Sequence, residues 1–230
     1  MDQGLQERLA SVMERVSRAC ERAGRKPGDV TLIAVTKGVP VERVQAAIEL
    51  GVAHVGENRV QEARDKLPCL PAGVTRHLIG TLQSNKARYV PSLFDWVHSL
   101  DRFELAHELG RRVRQAGRAI DCLVQVNVSG EPTKRGVAPG QALELVAAVA
   151  QVDGLKVRGL MTIAPLTGES SAARRVFAAL RELAQEIESA RIPGVSMQHL
   201  SMGMSDDFEV AIEEGATMIR IGSAIFGPRA

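Results

Sequence analysis

Short apolar, β-branched runs alternate with amphipathic segments along the whole chain, and this alternation limits the fold more than any other feature. Segments between the runs carry apolar residues three and four apart, such as Val41, Val44 and Ile48, which is the spacing of a helix packed along one face. A further helix is predicted near residues 3–23, before the first run. Eight runs predict strands: residues 30–35, 52–56, 76–80, 96–99, 119–128, 157–162, 196–201 and 218–222.

Eight strand-helix units with no second sheet-forming region favour one α/β fold, a closed (β/α)8 barrel of the TIM type. We expect residues 1–230 to form a single domain of this kind, with an extra N-terminal helix. An open doubly wound sheet is the alternative, but no Gly-x-Gly-x-x-Gly motif follows the first strand. In a barrel the C-terminal ends of all strands meet at one mouth, so residues far apart in the sequence converge there.

Composition and charge exclude several classes of function. Lys and Arg number 29 against 27 Asp and Glu, a net charge of +2 that is dispersed along the chain, and aromatic residues are few, so nucleic-acid binding is not expected. The odd, widely spaced cysteines Cys20, Cys69 and Cys122 indicate reduced thiols. The mixed-charge start does not resemble a signal peptide, and no run has the length of a membrane span. We therefore expect a cytoplasmic protein.

A lysine stands where the first predicted strand ends. In VTLIAVTK, residues 30–37, the apolar run is typical of a strand buried on both faces, and Lys37 follows it directly. Because α/β barrels place their chemistry at strand C-terminal ends, Lys37 is a candidate amine for a Schiff base. The alternative is a lysine that merely extends into solvent at a strand end.

The last two strands run into segments rich in glycine and hydroxyl groups. They are HLSMGMS, residues 199–205, and RIGSAIFG, residues 220–227. Barrels often bind phosphate at these two positions, where Gly222 would admit the anion, Ser223 and nearby amides would bind it, and Ser201 would close the site. A glycine turn with a serine cap explains either segment alone, but the two together favour phosphate.

An amine and a phosphate site at one mouth suggest a phosphorylated aldehyde, and pyridoxal phosphate is the commonest cofactor of that class. This cofactor also needs a partner for its pyridine nitrogen. Arg220 shares inward-facing parity with Met218 and Gly222, so its guanidinium is the candidate, and a cation there would keep the nitrogen unprotonated. Alternatively, Arg220 pairs with a carboxylate such as Glu57 inside the barrel.

Six motifs covering nearly the whole chain resemble the pyridoxal phosphate homeostasis protein family, which is similar in fold to the N-terminal barrel of alanine racemase. Gly38 and Thr81 are small departures beside the expected positions. The motifs are AVTKGVP (34–40), HVGENRVQEARDK (54–66), HLIGTLQSNKARYV (77–90), VQVNVSGEPTKRGV (124–137), RGLMTIAP (158–165) and LSMGMSDDFEVAIEEGATMIRIGSAIFG (200–227).

The resemblance implies that pyridoxal phosphate is held as an internal aldimine on Lys37, with Arg220 near the ring. It further implies that phosphate is bound by Ser201, Gly222 and Ser223, and that two more residues, Asn58 and Met161, contact the cofactor. The family is regarded as managing the intracellular supply of this vitamin B6 form without an established catalytic activity. Apo-enzymes that require the cofactor would be the partners, and we expect a monomer or a weak dimer.

Enzymes of similar barrel fold differ from this chain in two respects. Racemases use a tyrosine base opposite the lysine and carry a further β-rich domain, whereas this chain ends just past the eighth predicted strand and Tyr89, its one tyrosine, lies in a segment predicted to be a packed helix. A non-catalytic carrier is therefore favoured. The alternatives are a racemase or decarboxylase that uses this cofactor, and a barrel enzyme that acts on a sugar phosphate.

Three other groups of polar residues carry weaker predictions. Lys134 and Arg135 follow the fifth strand and are expected in a solvated loop, with a gate or a relay amine as the functional alternative. His54 and His77 are expected to be buried or rim residues, since no carboxylate or cysteine recurs at metal-ligand spacing, and no metal is predicted. The segment 205–207, Ser-Asp-Asp, is expected to cap the following helix.

Overall fold

A closed barrel of eight parallel strands, paired in sequence order from first to last, forms the centre of the molecule. The computed structural model describes residues 3–165 and 170–228. The strands are β1 Thr31–Val35, β2 His54–Glu57, β3 Thr75–Leu78, β4 Trp96–Leu100, β5 Ile120–Gln125, β6 Leu155–Met161, β7 His199–Ser201 and β8 Met218–Ile221. The predicted (β/α)8 barrel is therefore confirmed, and each strand overlaps the run that predicted it.

Helices connect the strands and cover the barrel. The α-helices are α1 Gln3–Arg22, α2 Val41–Glu49, α3 Val60–Lys66, α4 Val90–Leu93, α5 Phe103–Gln115, α6 Ala142–Ala150, α7 Ser170–Ser189, α8 Phe208–Glu213 and α9 Ser223–Phe226. Short 3-10 helices cover Pro27–Asp29, Leu67–Cys69, Ser84–Tyr89 and Pro139–Gln141. Within residues 3–165 and 170–228, no helix combines the length and apolar character needed to cross a lipid bilayer.

The fifth and seventh strands are shorter than the sequence predicted, because residues beyond their observed ends donate hydrogen bonds to groups outside the sheet. After Gln125 the chain leaves the sheet, and the Asn127 amide donates to the carbonyl of Val137 in the following loop. Before β7, the Met197 amide donates to the Glu188 carboxylate at 2.7 Å, and the strand begins only at His199.

Side chains alternate between two apolar regions, as the two-residue period of a strand requires. Alternate residues such as Ala34, Val55 and Ile219 join the large core between strands and helices, where Phe94, Phe177 and Phe208 are fully buried. The other parity points into the barrel. There the apolar cluster is small and consists of Ile33, Leu123, Met161 and Met218, with Trp96 packed against it.

Helix α1 ties the N-terminal segment to the last two helices. Arg15 forms a bidentate pair with Glu209 of α8 at 2.7 and 2.9 Å, and the Arg8 side chain donates to the Ile225 carbonyl of α9 at 2.8 Å. Leu5, Leu9 and other apolar residues of the helix are buried in the core. The predicted N-terminal helix is confirmed, and it supports the short helix α9 that follows β8.

Candidate functional site

Lys37 lies in the turn that follows β1, between the ends of β2 and β8. Ala34 pairs with Ile221 of β8, and Val35 pairs with Gly56 of β2. Beyond the strand, the Thr36 amide donates to the Gly56 carbonyl at 2.9 Å, which extends the pairing up to the lysine. Lys37 itself is half-buried. The structure therefore places this amine at the barrel mouth, as the sequence predicted.

A buried ion cluster holds the backbone on both sides of Lys37. The ammonium nitrogen of Lys66 lies 2.6 Å from the Thr36 carbonyl, 2.8 Å from Glu57 Oε1 and 2.7 Å from Glu62 Oε1. The Thr36 hydroxyl donates to Glu57 at 2.6 Å, and the Gly38 amide donates to Glu62. Residues 36 and 38 are thus bonded to one network, so the lysine between them has a defined backbone position.

The two carboxylates of this cluster differ in their environments. Burial raises the pKa of Glu57, and hydrogen bonds from Lys66 and Thr36 oppose part of that effect. Burial also acts to raise the pKa of Glu62, but hydrogen bonds from Lys66 and the Gly38 amide lower it overall. Since Glu57 bonds to Lys66 and Thr36, the alternative of an Arg220–Glu57 pair inside the barrel is wrong.

Arg220 is a buried cation whose hydrogen-bond partners are neutral groups. Its Nη1 donates to the Ser201 hydroxyl at 2.6 Å, and its Nη2 donates to the Thr162 carbonyl at 2.9 Å. Burial lowers the pKa of the guanidinium to about 10, and the nearby charge of Asp207 opposes this shift. Arg220 therefore carries a positive charge inside the barrel, with its orientation fixed by β6 and β7.

Two more predicted site residues lie next to Arg220. Ser201 is fully buried at the end of β7 and pairs in register with Met161 of β6. Met161 belongs to the apolar cluster inside the barrel. The Ser201 hydroxyl contacts both Arg220 and His98, each within 2.9 Å. The structure thus brings Met161, Ser201 and Arg220 together.

The segments after β7 and β8 meet at the start of α9. The chain after Ser201 continues beside β8, where the Arg220 amide donates to the Gly203 carbonyl at 3.0 Å. Gly222 lies at the N-terminal cap position of α9, and Ser223 is exposed. The Ala224 amide donates to the Ser205 hydroxyl at 3.3 Å. Ser205 is therefore part of this loop cluster, a contact that sequence reasoning missed.

The predicted capping role of residues 205–207 is only partly correct. Asp207 occupies the N-cap position of α8, but its side chain makes no capping hydrogen bond with that helix. Instead its carboxylate accepts the Met204 amide at 2.6 Å and closes the loop behind Ser205. Burial raises the pKa of Asp207, and that hydrogen bond opposes the shift.

Asn58 presents an unpaired oxygen near the mouth. Its Oδ1 is buried and has no hydrogen-bond partner among the described residues. The Asn58 backbone lies so close to Gly80 that a side chain at position 80 would collide with it. Both residues line a cavity of about 280 Å³, together with Gln125, Asn127, Lys134 and Ile163 among others. Lys37 and Arg220 do not line this cavity.

Lys134 lies beside the same cavity, in the loop after β5. Its ammonium pairs with Glu131 at 2.9 Å and lies 3.5 Å from the Ile163 carbonyl, while Arg135 is exposed. The lysine therefore bridges the loops after β5 and β6 at the mouth. A role as a gate or relay amine stays a prediction.

The remaining sequence predictions concern Tyr89 and metal binding. Tyr89 ends the 3-10 helix Ser84–Tyr89, and its ring lies under the guanidinium groups of Arg64 and Arg88 at 4.6 and 4.8 Å. Among the residues that the structure describes, no group of three His, Cys, Asp or Glu side chains is arranged to hold a metal ion.

Sequence reasoning missed the residues that support the site from behind. Glu62 and Lys66 lie one helical turn apart on α3, a spacing that indicates a possible ion pair. Nothing in that spacing shows that the pair is buried against Thr36 and Glu57. Those contacts depend on how α3 packs on β1 and β2.

Comparisons with known proteins agree with this geometry. Residues 8–230 match the family model for the alanine racemase N-terminal domain. A pyridoxal phosphate homeostasis protein from Aquifex aeolicus is 45% identical over 97% of this chain and 97% of its own length. The corresponding Escherichia coli K12 protein is 41% identical over 96% of this chain and 95% of its own.

Solved structures show the same relationship. The structure of PipY from Synechococcus elongatus with pyridoxal phosphate bound is 39% identical to this chain and superposes with a TM-score of 0.83. The match covers 97% of this chain and 100% of the PipY chain. An alanine racemase from Clostridium difficile, 12% identical with a TM-score of 0.77, covers 99% of this chain and 57% of its own, and shares the fold. The chain belongs to the pyridoxal phosphate homeostasis protein family, within the larger family of alanine racemase N-terminal domains.

Proposed function

We propose that this protein binds pyridoxal phosphate through Lys37 and takes part in managing the supply of that cofactor. The observation that carries the proposal is the position of Lys37, on a turn clamped by buried ions and beside the ends of β2 and β8. The relatives named for pyridoxal phosphate homeostasis, and a relative with that cofactor bound, support the choice of ligand.

The residues present fit this cofactor in charge and in hydrogen-bonding capacity. When bound, pyridoxal phosphate supplies an aldehyde that condenses with a lysine amine. Arg220 offers a buried cation, which would keep a neighbouring pyridine nitrogen unprotonated. The unpaired Asn58 oxygen offers an acceptor at the mouth, and Met161 offers an apolar surface.

Phosphate would be held by the loops after β7 and β8. Gly222, Ser223 and the first amides of α9 form one side, as the sequence predicted, and Ser205 adds a hydroxyl beside Ala224. The Ser201 hydroxyl already contacts Arg220, so it would bind phosphate and hold the guanidinium at once.

We further propose that the protein is a carrier and not an enzyme. The support is that Tyr89 lies against Arg64 and Arg88, so it is not a base opposite Lys37. Incubation of the loaded protein with single amino acids in deuterated water tests this. We expect negligible exchange of the α-proton, and rapid exchange that depends on Lys37 would identify an enzyme such as a racemase or decarboxylase.

The covalent anchor is tested by borohydride reduction of the loaded protein and mass analysis of its peptides. We expect the reduced cofactor on the Lys37 peptide, and none on any peptide of Lys37→Ala. Lys156, which is exposed on β6, provides a matched control, because Lys156→Ala should label like the parent protein. Labelling of Lys37→Ala at Lys134 would instead assign the anchor to the loop after β5.

Supply to other proteins is tested by mixing the loaded protein with a cofactor-free enzyme that requires pyridoxal phosphate. We propose that the enzymes are the partners, that transfer occurs in the cytoplasm, and that the carrier is a monomer or weak dimer. Activation faster than the cofactor dissociates into buffer would demonstrate transfer by contact. Activation no faster than free dissociation would limit the role to storage.

A further inference from the structure

Three histidines on consecutive strands form a chain of hydrogen bonds through the inside of the barrel. Nδ1 of His54 on β2 lies 3.1 Å from Nε2 of His77 on β3. Nδ1 of His77 lies 2.9 Å from Nε2 of His98 on β4, and Nδ1 of His98 lies 2.9 Å from the Ser201 hydroxyl. The chain continues to Arg220, which donates to the same hydroxyl.

The two ends of this chain lie in different surroundings. His77 and His98 are almost completely buried, whereas His54 is half-buried. His54 also lines a cavity of about 490 Å³ that is bounded by Leu9, Met13 and Val52 among others. Because His54 begins β2 and Ser201 ends β7, the chain leads from the N-terminal end of the barrel towards its mouth.

Other titratable groups face the chain from the remaining strands. His199 on β7 packs edge-on against Trp96 at 5.1 Å, and its Nδ1 is buried without a partner among the described residues. Next to it, Arg158 of β6 pairs with Asp121 of β5 at 2.7 Å. Strand β1, Thr31–Val35, contributes no titratable group, and β8 contributes Arg220, whose positive charge is stabilised by the nearby charge of Asp207.

Hydrogen-bond chemistry allows this chain only two directions. A neutral imidazole carries one proton, so each ring donates through one nitrogen and accepts through the other. Arg220 can only donate, so the Ser201 oxygen accepts from it in either case. In one direction the Ser201 hydroxyl donates to His98. In the other, His98 donates to Ser201, and the hydroxyl proton becomes available to a ligand at the mouth.

We propose that His54, His77 and His98 are positioning residues whose common hydrogen-bond direction is set by protonation of His54 and is transmitted to Ser201 and Arg220. The proposal rests on the proposed function, because it makes binding of the phosphorylated cofactor depend on pH at the opposite end of the barrel. A protonated His54 carries a proton on both nitrogens, so its Nδ1 must donate to His77. His77 then donates to His98, and His98 donates to Ser201.

Burial supports His54 as the group that titrates. Burial lowers the pKa of His54, and it lowers the pKa of His77 and His98 much further, with neighbouring His54, His199 and Arg220 adding to the effect. The two inner rings therefore stay neutral while His54 at the open end binds a proton first. In this switch the Ser201 hydroxyl passes its proton to His98 Nδ1, His98 Nε2 passes one to His77 Nδ1, and His77 Nε2 passes one to His54 Nδ1. Solvent at the mouth returns a proton to Ser201, so each inner ring exchanges one proton for another and the added charge rests on His54.

Nitrogen-15 NMR of the cofactor-free protein reads the direction of the chain. We expect His98 to carry its proton on Nε2 at pH 8 and on Nδ1 once His54 is protonated. In His54→Gln the end group cannot titrate, so the His98 tautomer should be the same at pH 8 and pH 5. A wild-type His98 tautomer that stays constant while His54 titrates would overturn the proposal.

Cofactor affinity provides the second measurement. The ratio of wild-type to His54→Gln affinity for pyridoxal phosphate should rise about threefold to tenfold between pH 8 and pH 5, because a hydroxyl that donates to phosphate makes a charge-assisted bond. Taking this ratio cancels the titration of Lys37 and of the phosphate itself. An equal pH dependence in both proteins would contradict the proposal.

Two further variants distinguish an effect of the hydrogen-bond chain from a general effect of removing a histidine. His107 lies exposed on α5, so His107→Gln should match the wild type at every pH. His98→Asn places an amide where Nδ1 contacts Ser201 but cannot reach His77, so it should bind the cofactor without the extra pH dependence. If the wild type binds no cofactor at all, the proposed function fails. The tautomer measurement on the cofactor-free protein still tests whether protonation of His54 sets the hydrogen-bond direction.

Discussion

The inside of the barrel and the layer between its strands and helices are built in opposite ways. The outer layer is a continuous apolar core in which large side chains such as Phe177 and Leu109 are fully buried. The inside holds a small apolar cluster next to three imidazoles, a serine and the guanidinium of Arg220. The comparison teaches that stability comes chiefly from the outer layer, while the inside orients polar groups for a ligand.

Polar groups can occupy the inside because nearly all of them bond to one another. Each imidazole of the chain contacts the next within 3.1 Å, and Arg220 donates to two neutral oxygens. Buried polar groups are costly when unpaired, but a fully bonded network is rigid. Among the residues that the structure describes, Asn58 Oδ1 near the mouth and His199 Nδ1 near the other end are buried without a partner, and both lie towards an end of the barrel.

The largest expected effect is in the outer layer. Phe177→Ala should lower the free energy of unfolding by about 3 to 5 kcal/mol, because it removes a fully buried aromatic ring and leaves a cavity. Cofactor affinity of the folded protein should be unchanged. Urea unfolding measures the stability, and cofactor titration measures the affinity. A large loss of affinity with little loss of stability would contradict the conclusion that the outer layer provides stability and the inside provides binding.

The second effect tests the ion cluster between the two regions. Lys66→Met should lower the free energy of unfolding by about 2 to 4 kcal/mol at pH 8, because Glu57 is left buried without its cation. The loss should shrink as the pH falls, since a buried carboxylate that lacks its partner takes up a proton. The double variant Lys66→Met with Glu57→Gln should recover much of the stability in urea unfolding.

The third effect is on binding and tests the inside. Arg220→Met should weaken cofactor binding by about 1.5 to 3 kcal/mol, the contribution of one hydrogen bond to a charged group. Stability should change less than in Phe177→Ala, because Arg220 bonds only to neutral groups and its replacement is apolar. Equal affinities of the variant and the wild type would remove Arg220 from the site.

The smallest effect near neutral pH is the loss of stability on acidification that the buried histidines of the inside contribute. Burial lowers the pKa of His77 and His98 well below that of an exposed histidine, so in this range the unfolded chain binds more protons than the folded one. Stability should therefore be fully present above about pH 6.5 and fall below it, by up to about 1.4 kcal/mol per pH unit for each histidine.

Urea unfolding at several pH values measures this slope. His98→Leu removes one buried histidine and should reduce the slope by up to about 1.4 kcal/mol per pH unit, the contribution of one proton. His107→Gln, on the exposed face of α5, should leave it unchanged. A slope that is the same in all three proteins would show that acid acts elsewhere in the molecule.

Much of the barrel could be predicted because its signals are local. The apolar run before Lys37 and the glycine turn after Arg220 each lie within a few residues, and alternation along β8 correctly predicted that Arg220 points inward. The bonds of Lys66 to Thr36 and Glu57 could not be predicted. They join residues 30 and 9 positions apart, on elements whose packing is decided only when the barrel closes.

The sequence by itself determined the strand-helix order, the barrel, and the lysine and loops at its mouth, because periodicity and turn residues act over short distances. Only the tertiary structure decided which polar residues became neighbours. His54, His77, His98 and Ser201 belong to four strands, and three of them are more than 20 positions from the next. Closure of the sheet brings β4 opposite β7 and β8, and hydrogen bonds of this kind exist only once that closure has set the distances.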